Sequence, residues 1–282
     1  MKFQIQITFP APMTPEELLR DSWQLGKKRI HELRMQKAVQ TLEGTPLPWD
    51  QPLEVGSTIM LRYEAEGSSY FPSPKIPVQP FYEDEHFVIV GKPAGMKTHP
   101  NDVTDTQTLM NGVFHYLDSK GHGYAEHVHR LDEGTSGLLL VAKHPIAKAI
   151  LDQMLEKKQI VRTYEALVQG EMQDNQGTIK AAIGADRHHP SRRRVSQTGQ
   201  TAITHYQVVG RNPKMTKVHV LLETGRTHQI RVHMAHIGHP IIGDTLYGAL
   251  PIKTEHYALQ AFRIQFRHPF TGELVNVEIP RT

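Results

Sequence analysis

The sequence predicts an α+β fold, with a large sheet-rich domain preceded by a small α/β unit. Three observations carry this. Strand-like stretches outnumber helical ones and do not alternate regularly with them, which argues against doubly wound and barrel folds. The 282 residues, 38% hydrophobic and 22% charged, suffice for one sizeable core and a second small one. A stretch with four prolines, EAEGSSYFPSPKIPVQP (64–80), divides the chain.

In residues 1–63 the alternating stretch KFQIQITF reads as a strand. TPEELLRDSWQL follows, with Thr14 and Glu17 at capping-box spacing. A basic helix comes next, then two short strands around EVGSTIMLRY. Residues 64–80 lack periodicity and are expected to form a linker. The main domain is placed at 81–282. There FVIVGKP (87–93) and SGLLLVAK (136–143) read as short buried strands. PIAKAILDQMLEKK (145–158) reads as a helix, with Pro145 in its first turn and lysines at its end. TYEALVQG, GTIKAAIG, AITHYQVVG, KVHVLLET, YALQAFRIQF and LVNVEIP follow as strands.

Composition narrows the classes. No apolar run approaches a membrane span, and MKFQIQITFPAP lacks the charged start and apolar block of a signal peptide. The chain has no cysteine, so disulfides and thiolate metal sites are excluded, and the cytoplasm is the expected compartment. Net charge is only +3, so its distribution matters more than its size. KKRIHELRMQK (27–37) concentrates Lys27, Lys28, Arg29 and Arg34 against Glu32. RHHPSRRR (187–194) holds Arg187, Arg192, Arg193 and Arg194 with no acid. Either cluster could be a solvated surface. The second repels itself strongly enough to favour an anionic partner, and phosphates of RNA suit both.

Three stretches carry chemistry. In HRLDEGTSGLLLVAK (129–143), Asp132 stands between His129-Arg130 and a wall of leucines. Alone it would pass for a turn residue. Its setting of Gly134, Thr135, Ser136 and Gly137 before a buried strand could instead hold one carboxylate rigidly at a cleft mouth. In ETGRTHQIRVHMAHIGHPIIGDTLYG (223–248), His228, His233, His236 and His239 suggest a metal site. With no HExxH and no carboxylate cluster beyond Asp244, capping, stacking or RNA contact fits these histidines better. Arg226 and Arg231 are more telling, because a guanidinium keeps a half-buried carboxylate ionised and oriented. In VRTYEALVQG (161–170), Tyr164 is either core or a platform for a nucleobase.

Together and in this order, these stretches resemble the RluA/RluD-type RNA pseudouridine synthases. HRLDEGTSGLLLVAK is similar to that family's catalytic motif, FYEDEHFVIVGKPAGMKTHP (81–100) to the motif before it, and TGRTHQIRVHMAHIGHPIIGDTLYG to the one after. The resemblance covers about residues 80–280. Gly91 departs from it, where the family often has Asn. What the resemblance implies is a mixed, mainly antiparallel sheet around a central cleft. Asp132 is then the catalytic aspartate, Arg231 its basic partner and Tyr164 the ring that stacks on the target uracil. Arg130 displaces the base, Ile230 contacts it, and His129, Thr135 and Arg226 lie beside the substrate. Residues 1–63 loosely resemble the small RNA-binding domain shared with ribosomal protein S-four, with LEGTPLPWDQ in place of its short hairpin. Isomerisation adds no group and changes no oxidation state, so neither cofactor nor metal is expected. RNA is the expected partner, large-subunit ribosomal RNA first and transfer RNA second, with the protein acting as a monomer. Two other classes stay open: a non-catalytic ribosome-assembly factor and a histidine-based metal hydrolase.

Overall fold

The computed structural model describes residues 1–102, 104–253 and 255–280. In β1 (Lys2–Thr8) the alternation places Ile5 and Ile7 inward. With β2 (Val39–Gln40) and β3 (Thr58–Glu64) it forms a sheet in the order β1-β3-β2. The two strands expected around EVGSTIMLRY are one, because a turn at 54–57 occupies the first half. Helix α1 (Pro15–Glu17) begins with the expected reciprocal cap. Glu17 N–H donates to Thr14 Oγ1 at 3.1 Å, and Thr14 N–H to Glu17 Oε2 at 2.8 Å. A π-turn (Leu18–Ser22) extends it before the basic helix α2 (Lys27–Met35).

The large sheet begins with β4 (Gln79–Glu83) and β5 (Phe87–Lys92). Helix α3 (Leu109–Asp118) interrupts, then come β6 (Glu126–His127) and β7 (Ser136–Ala142). Helix α4 (Pro145–Glu156) leads into β8 (Val161–Gln169). GTIKAAIG splits into β9 (Gln176–Lys180) and β10 (Ile183–Ala185), because β10 leaves the sheet to pair with β11 (Arg193–Val195) in a separate hairpin. Strands β12 (Ile203–Asn212) and β13 (Met215–Leu222), helix α5 (Gln229–His236), and strands β14 (Leu259–Arg267) and β15 (Leu274–Glu278) complete the fold.

The ten-stranded sheet runs β4-β5-β7-β14-β8-β13-β12-β9, with β15 on β14 and β6 on β7. Its pairs are antiparallel except β7 with β14, which meet in parallel over two register pairs, Gln260↔Ser136 and Ala261↔Gly137. This seam positions the site. Gly137 has φ +121, and a Cβ there would lie 2.3 Å from the Ala261 carbonyl oxygen, so only glycine lets the two strands meet. The loop bearing Asp132 leads into β7 at this point.

Two hydrophobic clusters fill the molecule. One, around Val88, Leu139, Ala166, Val218 and Met234, underlies the cleft. The other joins Ile5, Leu19 and Tyr63 of the N-terminal unit to Phe87, Leu140, Ile150 and Phe266 of the main sheet. The Pro-rich segment crosses between them as a fastened strap. Ser68 Oγ donates to the Ala125 carbonyl at 2.7 Å, Tyr70 O–H to Glu126 at 3.2 Å, and Asn111 Nδ2 to the Phe71 carbonyl at 2.8 Å. Among the described residues no helix is long and apolar enough to cross a membrane.

Candidate active site

The loop carrying Asp132 is pinned from three sides. Thr135 N–H donates to the Asp132 carbonyl at 3.0 Å, closing a turn. Buried Leu131 exchanges two backbone hydrogen bonds with Thr98 Oγ1, at 2.8 and 3.1 Å. Lys92, enclosed almost completely, donates from Nζ to the carbonyls of Pro93, Met96 and Glu133 at 3.0, 2.6 and 2.9 Å. Burial pushes the Lys92 ammonium down to about 8, opposed by the charges of Asp132 and Glu133. A buried lysine behind the carboxylate loop extends the β5–β7 pairing into the loops that leave it.

Arg231 stands in the first turn of α5 with 7% of its side chain exposed. Its Nε and Nη2 donate to Asp244 Oδ2 and Oδ1 at 2.7 and 2.9 Å, a bidentate pair with a carboxylate only 1% exposed. Its remaining Nη1 lies 3.7 Å from Asp132 Oδ2. The rings of Tyr247 and Tyr257 lie 5.0 and 4.3 Å from the guanidinium carbon. Burial alone would weaken the guanidinium's hold on its proton, but the hydrogen bond to Asp244 and the nearby charges reverse this and raise its pKa. Tyr257 reaches Arg231 because residue 134 is glycine; a Cβ there would sit 2.7 Å from the tyrosine ring. Arg231 is thus an oriented cation with one face committed to Asp244 and one corner offered to Asp132.

Asp132, 21% exposed at its side chain, lies between two hollows. The larger, about 930 Å³, is lined by Tyr164, Ile230, Leu259, Arg130, Arg226 and Arg231 among others. The smaller, about 490 Å³, is lined by Lys97, His99, Arg130, His228, Arg231 and Tyr257 among others. Tyr164, on β8 opposite Ala261 and Val220, is 5% exposed, and burial raises its phenol above the usual value, so it stays neutral.

The structure brings Asp132, Arg130, Tyr164, Ile230 and Arg231 to one cleft. Three expected substrate neighbours have other ties. His129 is buried at the wall of the larger hollow, and its Nε2 accepts Leu140 N–H at 3.3 Å, so it braces β7. Thr135 is buried and its hydroxyl meets Tyr257 Oη at 3.1 Å. Arg226 is exposed at the rim, where its Nε donates to the Thr201 carbonyl at 3.1 Å.

The basic clusters are thinner than their sequences suggest. On α2, Lys27 and Lys28 are exposed, while Arg29 pairs with Glu32 at 3.1 Å and Arg34 with Glu16 at 2.8 Å. On the β10–β11 hairpin, Arg192 is paired at 2.6 Å with Asp186, an acid just outside the quoted stretch. Arg193 N–H donates to Tyr247 Oη at 2.9 Å, leaving Arg187 and Arg194 exposed. Of the histidines, His233 is buried and bonds Thr204 Oγ1 and the Ala181 carbonyl, both at 2.8 Å. Lys92, Tyr247, Tyr257 and the role of Asp244 escaped sequence reasoning. Asp244 and Tyr247 carried a signal in the GDTLYG end of the third motif; Tyr257 lay outside every quoted motif.

Cleft, seam and carboxylate–guanidinium pair make a candidate catalytic site with room beside it for a substrate. Residues 86–236 match the RNA pseudouridylate synthase family, and residues 1–59 match the N-terminal domain of the ribosomal pseudouridine synthase RluD. The uncharacterized RNA pseudouridine synthase YhcT of Bacillus subtilis is 48% identical over 77% of this chain and 72% of its own. Ribosomal large subunit pseudouridine synthase D of Pseudomonas aeruginosa is 36% identical over 85% of this chain and 79% of its own. Among solved structures, human RNA pseudouridylate synthase domain containing 1 superposes with TM-score 0.61 at 25% identity, covering 73% of this chain and 84% of that one. The chain belongs to the RNA pseudouridylate synthase family, as an RluD-like member. It is an isomerase acting on RNA.

Proposed function

We propose that this protein converts specific uridines of large-subunit ribosomal RNA to pseudouridine, with Asp132 as the catalytic group. The observation that carries the proposal is the approach of Arg231 Nη1 to Asp132 Oδ2 at 3.7 Å, beside a hollow lined by Tyr164 and Ile230. The bond from ribose C1′ to uracil N1 breaks, the base turns, and a bond from C1′ to C5 replaces it. The proton on C5 leaves and N1 gains one, so nothing is consumed. Asp132 has two routes: covalent attack, or removal of a ribose proton to allow elimination. Both routes use the carboxylate oxygens, and Arg231 Nη1 orients them from 3.7 Å. Arg130, exposed at the junction of the hollows, fills the gap left by the everted nucleotide, while the Tyr164 ring receives the base. Residues 1–63 serve as an S-four-like RNA-binding unit, 64–80 as its connection and 81–282 as the catalytic domain. Lys27, Lys28, Arg187 and Arg194 hold phosphates. The ribosomal target is supported by the name of the Pseudomonas relative and by the family of the N-terminal match. The protein acts as a monomer in the cytoplasm, where such RNA is made.

The test is Asp132→Asn, which keeps shape and removes charge. RNA isolated from cells lacking the gene is incubated with each protein and its pseudouridines mapped. The wild type restores sites in large-subunit RNA, and the variant binds that RNA but restores none. Turnover by the purified variant refutes the assigned role.

A further inference from the structure

We infer that His228 is a positioning residue for Asp132, bridging Tyr247 to the same carboxylate oxygen that Arg231 approaches and leaving Oδ1 to react. The inference rests on the reading of Asp132 above. His228 caps α5 in the left-handed conformation, φ 59 and ψ 18. Non-glycine residues adopt that conformation rarely, and it persists where the surroundings enforce it. A glycine would adopt it freely, so the imidazole is kept at a cost. The Tyr247 hydroxyl lies 2.8 Å from His228 Nδ1. That oxygen also accepts Arg193 N–H at 2.9 Å and has its own proton to give to Nδ1. In the tautomer that accepts it, the imidazole proton is on Nε2, which lies 3.9 Å from Asp132 Oδ2.

Burial holds the ring below its ordinary pKa against the pull of Asp132, which keeps it a neutral donor. Both donors approach the same oxygen, Nη1 of Arg231 at 3.7 Å and Nε2 of His228 at 3.9 Å. These separations exceed a hydrogen bond, and such contacts in free enzymes tighten when substrate binds. His228 lines both hollows, so an entering nucleotide meets it. The same chain of contacts links Asp132 to the basic hairpin.

The test separates side chain from backbone. Asparagine tolerates the left-handed region but is too short to span from Tyr247 to Asp132. His228→Asn, His228→Gly, Tyr247→Phe and Asp132→Asn are compared in single turnover on RNA from cells lacking the gene. H228N is expected to be about 10- to 100-fold slower, the scale of a misplaced reacting group, with RNA affinity within about twofold of wild type. Y247F loses less, about 3- to 10-fold, since the imidazole remains but its tautomer is freed. Added imidazole is expected to speed H228G and leave D132N inert. A wild-type rate in H228N, an H228N defect matched by an equal loss of RNA affinity, or indifference of H228G to imidazole overturns the inference. Turnover by D132N instead sinks the underlying reading of Asp132, so the two failures are distinguishable.

Discussion

Arg231 is committed before any substrate arrives. Its bidentate bond to Asp244, at 2.7 and 2.9 Å, fixes the plane of the guanidinium, and the rings of Tyr247 and Tyr257 limit its tilt. Asp132 meets only the third corner, at 3.7 Å. Asp244→Asn tests this division of labour. Leaving a buried charge without its partner costs about 3–5 kcal/mol, and the retained amide oxygen offsets part of that. The variant is expected to melt several degrees lower and to turn over at least about tenfold more slowly. Melting measured by circular dichroism beside a single-turnover assay decides it. Unchanged melting and rate together mean that Asp244 does not anchor Arg231.

At the scale of elements, helix α4 depends on a buried histidine pair. His144 Nδ1 accepts Ala147 N–H at 3.1 Å as the helix cap, and His86 Nδ1 lies 3.1 Å from His144 Nε2. Asp84 bonds His268 beside them at 3.0 Å. Burial pushes His86 down to about 4 and His144 to about 3, Asp84 opposing in both. The sign follows from the unfolded chain, whose histidines take up protons near 6.5 while the folded ones do not. The pair's contribution is complete above pH 6.5 and is lost as the pH falls toward 4 and then 3. His144→Asn keeps a capping acceptor and removes one titration. Its loss of melting temperature between pH 7 and 4.5 is expected to be smaller than that of wild type. Equal slopes in the two proteins exclude the pair as the source.

How legible each element was depends on how local its causes are. The strands, the Thr14–Glu17 cap and α4 were readable because alternation, capping spacing and Pro145 are local signals. Helix α3 was missed because Gly112 and the buried Asn111 break its apolar face, and the cap that starts it, Thr108 with Asn111, is buried. The site divides the same way. Asp132 and Arg231 stood in motifs with chemistry to suggest, whereas Lys92, though inside the first motif, and Tyr257 acquire their roles only through tertiary approach. His129 takes on a second tie, to the backbone of β7, that its place in the sequence beside Asp132 did not announce.

Over the whole molecule, the N-terminal unit and the main sheet share a core. Phe3 meets Tyr124 edge to face at 6.0 Å, and Trp23 meets Phe270 at 5.0 Å. Those contacts and the strap fastened at Ser68 and Tyr70 bind the unit to the main domain. Calorimetry is expected to show a single unfolding transition. A chain lacking residues 1–63 would expose Tyr124, Phe270 and the apolar side of α4, and is expected to aggregate on size exclusion. Two resolved transitions, or a well-behaved truncated monomer, would refute the shared core. The position of β14 has a consequence for biosynthesis. It lies between β7 and β8, yet residues 259–267 are translated about a hundred residues after either. On the ribosome the carboxylate loop and the tyrosine strand are therefore strangers until that late segment emerges. The nascent chain holds Asp132, Tyr164 and Arg231 well before it holds the strand that seats the first two side by side.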